Sequence, residues 1–208
     1  MGDITNADSY ISKVSEFKQL SKNSVLGYYS DREADGIDYR GLVGRAINKY
    51  GLTPDEAHSV FGYTTNLFYR DLNRVLSTGG DSSASGLAAL INDGLRKLPD
   101  AGLVQHRGLR FDNEADIAKF DSEFKLRGRV ESNSFWSSAP QLLDDYKGVR
   151  NLEIQTRSAK DISELSFGVN FHEKIGRESY STENIIPTGV KFEVVGRNKN
   201  GSVIIKEK

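Results

Sequence analysis

Three short segments, far apart in the sequence, carry the side chains with the clearest chemical potential. Val104-Gln105-His106-Arg107-Gly108 ends a β-like run in an arginine and a glycine. Ser134-Phe135-Trp136-Ser137-Ser138-Ala139 places hydroxyls after an aromatic pair, and Ser181-Thr182-Glu183-Asn184-Ile185-Ile186-Pro187 opens an apolar run with a carboxylate. An arginine held at a strand end can fork two hydrogen bonds onto a diphosphate. Gly108 lets the backbone approach a flat ligand closely. A hydroxyl such as that of Ser137 both donates and accepts, so it can hold a carboxylate in one rotamer while touching a sugar. An ionised glutamate can stabilise positive charge that appears only in a transition state. Taken singly, each has an ordinary reading: an arginine beside a turn, solvent-facing serines, a solvated glutamate opening a strand.

The elements that must position them divide the chain by character. The first half reads helical. Tyr10, Val14, Phe17 and Leu20 recur at helical spacing. Residues 23–41, rich in Gly, Ser, Asp and Tyr, read as a connection, and Leu42 to Tyr50 as a short helix closed by Gly51. Thr53-Pro54-Asp55-Glu56 is the clearest helix start, with a capping threonine, proline at the first helical position and a glutamate to complete a capping box. Its apolar face predicts one helix through Val60, Phe61, Leu67, Phe68, Leu72, Val75 and Leu76, ended by Gly79-Gly80-Asp81. A further helix is expected from about Ser85 to Leu98, stopped by Pro99. The second half reads as strands over 103–106, 130–136, 152–156, 185–186, 190–195 and 203–206, with a short helix over 112–120 and an Asn200-Gly201 hairpin turn. Helices first and strands afterwards predict an α+β fold.

The 208 residues suit one domain with a substantial core. A composition of 37% hydrophobic and 27% charged residues with net charge −1 gives no chain-wide footprint for nucleic acid. Without cysteine there is no disulfide, thiol nucleophile or thiolate metal site, and His58, His106 and His172 show no metal-ligand spacing. No run approaches the roughly 18 apolar residues of a membrane span. The opening Met1-Gly2-Asp3-Ile4-Thr5-Asn6 lacks the charged start and apolar stretch of a signal peptide.

In their order, the three segments resemble the Arg-Ser-Glu class of mono-ADP-ribosyltransferases of the bacterial toxin and effector type. Further stretches fit the same order, including Phe61-Gly62-Tyr63-Thr64 with Tyr69 and Leu72-Asn73, and Leu95-Arg96-Lys97-Leu98-Pro99, so that about residues 53–195 match. The resemblance implies one domain over residues 1–208, a helical portion over about 1–99 followed by a mainly antiparallel two-sheet NAD-binding core over about 100–208. It implies Arg107, Ser137 and Glu183 as the catalytic set, with NAD bound as substrate by Arg107, Gly108, Phe135, Ser137, Ser138, Tyr146 and Glu183, and no metal. Arg107 would grip the phosphate and ribose side, the Gly108 backbone the nicotinamide carboxamide, and Tyr146 would stack on nicotinamide. Ser137 would orient Glu183, which would stabilise the oxocarbenium formed as the N-glycosidic bond breaks. Glu183 has the family spacing to Pro187 and Gly189. His106 and Ala139 depart from the family pattern, which has an aromatic and a serine there.

A mobile acceptor-recognition loop is expected over about 167–182, with Glu178 and Ser181 as acceptor-recognition residues. Arginine-modifying members carry glutamate at the position of Ser181, so the acceptor stays open. The resemblance implies a protein of a host or competitor cell as acceptor, with an immunity protein as a further partner and a nucleic-acid acceptor still open. A delivered effector acting in the target-cell cytoplasm is the implied setting. An NAD glycohydrolase, or a binding module that has lost catalysis on the same fold, are the competing readings. Tyr39-Arg40-Gly41 matches the arginine tripeptide better than Arg107 does, but a turn-like stretch precedes it and a helix follows.

Overall fold

Thr53 opens a helix as its sequence predicts. Its hydroxyl accepts from the Glu56 N–H at 3.2 Å, and the Glu56 carboxylate accepts from the Thr53 N–H at 2.7 Å. The computed structural model describes residues 8–79, 82–142, 150–177 and 180–208. The chain forms two compact units, one running to Pro99 and taking in Ile162–Ser181, the other made of Asp100–Asp161 and Thr182–Lys208. Among the described residues, no helix is long and apolar enough to cross a membrane.

The first unit is helical: α1 (Asp8–Lys18), α2 (Lys22–Ala34), α3 (Tyr39–Tyr50), α4 (Pro54–Tyr63), α5 (Tyr69–Ser77) and α6 (Ser82–Lys97), with α8 (Phe167–Lys174) from the returning segment. Three expectations are corrected. Residues 23–41 are mostly helix: Ser21 caps α2 by accepting from the Ser24 N–H, and Val25 and Tyr29, four apart, are buried on one face. The long helix after Thr53 breaks in two, because the Thr64 and Thr65 hydroxyls turn back onto the carbonyls of Phe61 and Gly62, each at 2.7 Å. These local bonds compete with continuation of the helix. The first half of the expected mobile loop is α8, capped by Ser166, whose hydroxyl accepts from the Val169 N–H at 3.1 Å. Inside the unit, Tyr10, Tyr29, Tyr39 and Phe61 are fully buried; Tyr10 stacks on His58, Tyr29 meets it edge-on, and Tyr39 stacks on Phe61. The Tyr10 and Tyr29 hydroxyls bond to each other, and burial keeps both phenols neutral by pushing them well above their usual range.

The second unit holds β1 (Val104–Leu109), α7 (Glu114–Glu123), β2 (Arg129–Glu131), β3 (Trp136–Ser138), β4 (Arg150–Gln155), β5 (Lys160–Asp161), β6 (Asn184–Ile186), β7 (Lys191–Arg197) and β8 (Val203–Glu207). A five-stranded sheet runs β1-β4-β8-β7-β2, and a three-stranded sheet runs β3-β6-β5. All pairs are antiparallel except β4 with β8. The hairpin at Asn200-Gly201 joins β7 and β8 as expected, with Gly201 at φ 82. The single strand expected over 130–136 is two strands in different sheets. Ser132, fully inside the fold, donates to the Pro187 carbonyl at 2.7 Å and accepts from the Val190 N–H at 2.9 Å, which binds the crossover to the turn after β6. Phe120 and Phe124 of α7 stack at 4.2 Å and pack with Leu152, Ile154, Phe192, Val194, Val203 and Ile205 of the sheet.

Glu207 at the end of β8 organises the loop that carries the chain from one sheet to the other. Its carboxylate accepts from the Thr156 hydroxyl at 2.6 Å, the Ser158 hydroxyl at 2.7 Å, and the Arg157 and Ser158 N–H groups at 2.7 and 3.1 Å. Burial pushes this carboxyl up, but the four donors outweigh it and hold Glu207 below the usual carboxylate range. A depressed pKa contributes stability that is present above the unfolded value and lost as pH falls through the folded one. Glu207→Ala should therefore lower unfolding free energy by about 1–3 kcal/mol at pH 7. In denaturant titrations across pH, the gap to wild type should close as pH falls below about 4.3; a gap that persists undiminished at lower pH would contradict this role.

Candidate active site

Among the described residues, one backbone bridge joins β1 of the larger sheet to the end of β3 in the smaller. His106 of β1 and Ala139, just past β3, exchange both hydrogen bonds, at 2.7 and 3.1 Å. On its other edge β1 pairs with β4, with Arg107 opposite Leu152 and Gly108 opposite Asn151. Backbone groups of successive strand residues point to alternate edges. With His106 turned toward Ala139, the same alternation turns the Gly108 N–H toward the β3 side. β1 runs further than expected, so Arg107 and Gly108 lie within a paired strand and not beyond its end. The Arg107 guanidinium donates to the Ser137 carbonyl at 2.6 Å, which ties the arginine to the serine segment.

β3 pairs with β6 in the register Trp136 with Ile186, Ser137 with Ile185 and Ser138 with Asn184. One more step along this register sets Glu183 opposite Ala139. Side chains alternate across a sheet, so Ser137 and Glu183 share a face as diagonal neighbours, about 7–8 Å apart at the backbone. That spacing allows a serine hydroxyl and a glutamate carboxylate to meet. Glu183 is only 8% exposed. A carboxylate this deep needs donors around it to stay ionised. Three segments separated by some 30 and 46 positions in sequence are thereby brought to one place by one bridge and one three-residue ladder.

The remaining sequence expectations fall as follows. Phe135 is fully buried and Ser138 is 7% exposed, with its hydroxyl 3.5 Å from both the Gln105 side-chain oxygen and the Asn184 carbonyl. Both side chains support the segment from within. Ser181 is exposed. Tyr146 and Glu178 lie outside the described residues. The competing Arg40 sits in the first turn of α3, where its guanidinium pairs with Glu33 at 3.0 Å and lies over the Tyr39 ring. A Cβ at Gly41 would collide with the Asp38 carboxylate that caps the helix, so that glycine serves the cap. Among the described residues, no three His, Asp or Glu side chains cluster as a metal site requires.

Sequence reasoning missed Gln105 and Asn184. The Asn184 amide donates to the Gln105 side-chain oxygen at 2.7 Å, and the Gln105 amide donates to the Gly102 carbonyl at 2.6 Å. Both side chains are essentially fully buried. A polar residue inside a strand-like run was the available signal, but its partner lies 79 positions away.

Comparison with known proteins identifies the fold. No family model matches the chain. A curated relative, the NAD(+)--protein-arginine ADP-ribosyltransferase Tre1 of Serratia proteamaculans, is 27% identical over 154 residues. The match takes in 73% of this chain and 31% of that protein, so the chain spans about a third of the relative's length. Among solved structures, the type III effector XopAI of Xanthomonas axonopodis pv. citri superposes with a TM-score of 0.61 at 14% identity, covering 82% of this chain and 76% of that one. The ADP-ribosyltransferase HopU1 of Pseudomonas syringae pv. Tomato gives 0.57 at 16% identity, over 79% and 82% of the two chains. Exoenzyme S of Pseudomonas aeruginosa, solved with human 14-3-3 protein beta and carba-NAD, gives 0.54 at 18% identity, over 84% and 88%. The fold is an ADP-ribosyltransferase fold.

Ser132 supports this site by clamping the turn after β6. Ser132→Ala should leave the Val190 N–H unpaired inside the fold and cost about 1–3 kcal/mol of stability. Urea unfolding followed by circular dichroism checks it, and an unchanged midpoint would show that the clamp contributes nothing.

Proposed function

We propose that this chain is an NAD-dependent mono-ADP-ribosyltransferase that cleaves the nicotinamide–ribose bond and transfers ADP-ribose to a protein side chain. The observation that carries the reading is the convergence of Arg107, Ser137 and Glu183 at the β1–β3–β6 junction. The named activity of the Serratia relative and the carba-NAD bound to exoenzyme S support the same substrate.

Arg107 forks onto the diphosphate, and the Gly108 N–H, turned toward β3, meets the nicotinamide carboxamide. Ser137 holds the Glu183 carboxylate in place. As the C1′–N bond breaks, nicotinamide leaves with the bonding electron pair and positive charge develops on the ribose. Glu183, ionised beside it, stabilises charge that is absent in the ground state and accepts a hydrogen bond from the 2′-hydroxyl. An acceptor nucleophile then bonds to C1′ and gives up its proton. Ser181, with a hydroxyl and no carboxylate, cannot draw a proton from a guanidinium as glutamate can, which favours either an acceptor other than arginine or water. Hydrolysis of NAD is accordingly the second reading. Delivery as an effector into another cell, with a protein of that cell as target, is the setting that the relatives suggest.

Nicotinamide release from NAD tests the reaction. Glu183→Ala should lower kcat by on the order of 10²–10³-fold; turnover unchanged by this substitution would remove the enzyme reading. Arg107→Lys should raise KM for NAD about tenfold by losing the fork, while Arg40→Lys should leave it within about twofold. Equal effects would mean that the other arginine binds NAD. Radiolabelled ADP-ribose appearing on lysate proteins, mapped by mass spectrometry, is expected for a transferase. Nicotinamide release with no labelled protein would establish the hydrolase instead.

A further inference from the structure

Each of the three proposed active-site residues has a buried polar residue close by in sequence. Gln105 lies two positions before Arg107, Ser138 directly follows Ser137, and Asn184 directly follows Glu183. These three meet each other. Asn184 donates to the Gln105 side-chain oxygen at 2.7 Å, and the Ser138 hydroxyl lies 3.5 Å from that same oxygen. The far end of Gln105 is anchored on the Gly102 carbonyl at 2.6 Å, so its amide cannot turn over without losing a bond at each end. Their exposures are 0% for Gln105, 1% for Asn184 and 7% for Ser138.

Packing does not account for this cluster. Among the described residues, the buried Asn184 side-chain oxygen accepts no hydrogen bond. A buried acceptor left unpaired costs stability, and an apolar side chain of similar shape would avoid the cost. The two residues that follow it in β6, Ile185 and Ile186, are fully buried, so an apolar residue would suit this strand. A group that burdens the core directly beside a proposed active-site glutamate calls for another role. Its geometry provides one. β1 and β6 are not neighbours; each touches β3, and β1 does so through one backbone bridge. The Arg107 guanidinium on the Ser137 carbonyl also ties β1 to β3. The amide–amide bond is the direct tie between β1 and β6, the strands that carry Arg107 and Glu183.

We propose that Gln105 and Asn184 are positioning residues whose buried amide–amide hydrogen bond fixes the strand carrying Arg107 against the strand carrying Glu183. The inference rests on the NAD-cleaving reading of the site. It separates substrate binding from chemistry: loosening the tie displaces Glu183 from the ribose while the arginine fork still takes the diphosphate. A displacement of about 1 Å in a catalytic group can cost 10²-fold in rate.

The test uses Gln105→Met, Asn184→Leu and the two together, each close in volume to the original. Nicotinamide release gives kcat and KM for NAD, and thermal unfolding gives Tm. The double substitution removes both amides at once, so the expected Tm is equal to or above that of the wild type, while kcat falls about 10- to 100-fold and KM stays within about threefold. Asn184→Leu alone strands the Gln105 oxygen, so its Tm should fall below that of the double variant. A double variant with wild-type kcat overturns the inference, as does a kcat that merely follows Tm. If the double variant does not fold, Asn184→Ala substitutes for it, with the same loss of kcat at constant KM expected and wild-type kcat overturning the proposal. Failure of the underlying reading looks different: wild type without turnover, or a fully active Glu183→Ala, removes the reading and the inference together.

Discussion

The site depends on one backbone pairing between its two sheets. One antiparallel bridge between His106 and Ala139 brings the edge of a five-stranded sheet to the edge of a three-stranded one. Everything proposed for the chemistry is placed relative to that bridge. Arg107 is the next residue along β1, Ser137 lies two residues before Ala139, and Glu183 falls opposite Ala139 once the β3–β6 register is extended by one step. Strand pairing has a period of two, so a slip of one residue would carry Ser137 and Glu183 to different faces. The ladder is only three residue pairs long, and it is held in register by the buried Ile185 and Ile186 on one strand and by Ser132 clamping the turn beyond them.

A junction of this kind trades stability for geometry. Gln105 and Asn184 place polar groups where apolar ones would pack, and among the described residues one amide oxygen accepts no hydrogen bond. The rest of the unit supplies the offsetting burial. α7 lays Phe120 and Phe124 on the large sheet, Trp136 stacks on Phe192 at 5.5 Å, and Glu207 gathers four donors to fix the loop between the sheets. Core side chains of this size contribute roughly 1.5–3 kcal/mol each when buried, enough to carry an imperfectly satisfied polar cluster.

Much of the fold was legible because its signals are local. The Thr53–Glu56 capping box, the left-handed Gly51 that ends α3 and the Asn200-Gly201 turn are each set by residues within a few positions of one another. The failures share a cause as well. The 130–136 run reads as one strand by its apolar content, but Ser132 bonds to a turn more than 50 positions away and sends the two ends into different sheets. Residues 23–41 read as a connection by composition, although Val25 and Tyr29 alone supply a buried helical face. The proposed active-site trio was accessible only through its order along the chain, since no local spacing joins Arg107 to Ser137 or Glu183. Gln105 and Asn184 had no such order to mark them, and their bond exists only after β1, β3 and β6 have assembled.

The most direct measurement is a crystal structure of the chain with carba-NAD, whose scissile bond resists cleavage. The account predicts the diphosphate on the Arg107 guanidinium and the nicotinamide ribose 2′-hydroxyl within about 2.6–3.2 Å of the Glu183 carboxylate. A ligand bound away from the β1–β3–β6 junction, or one seated there with Glu183 turned from the ribose, would contradict it.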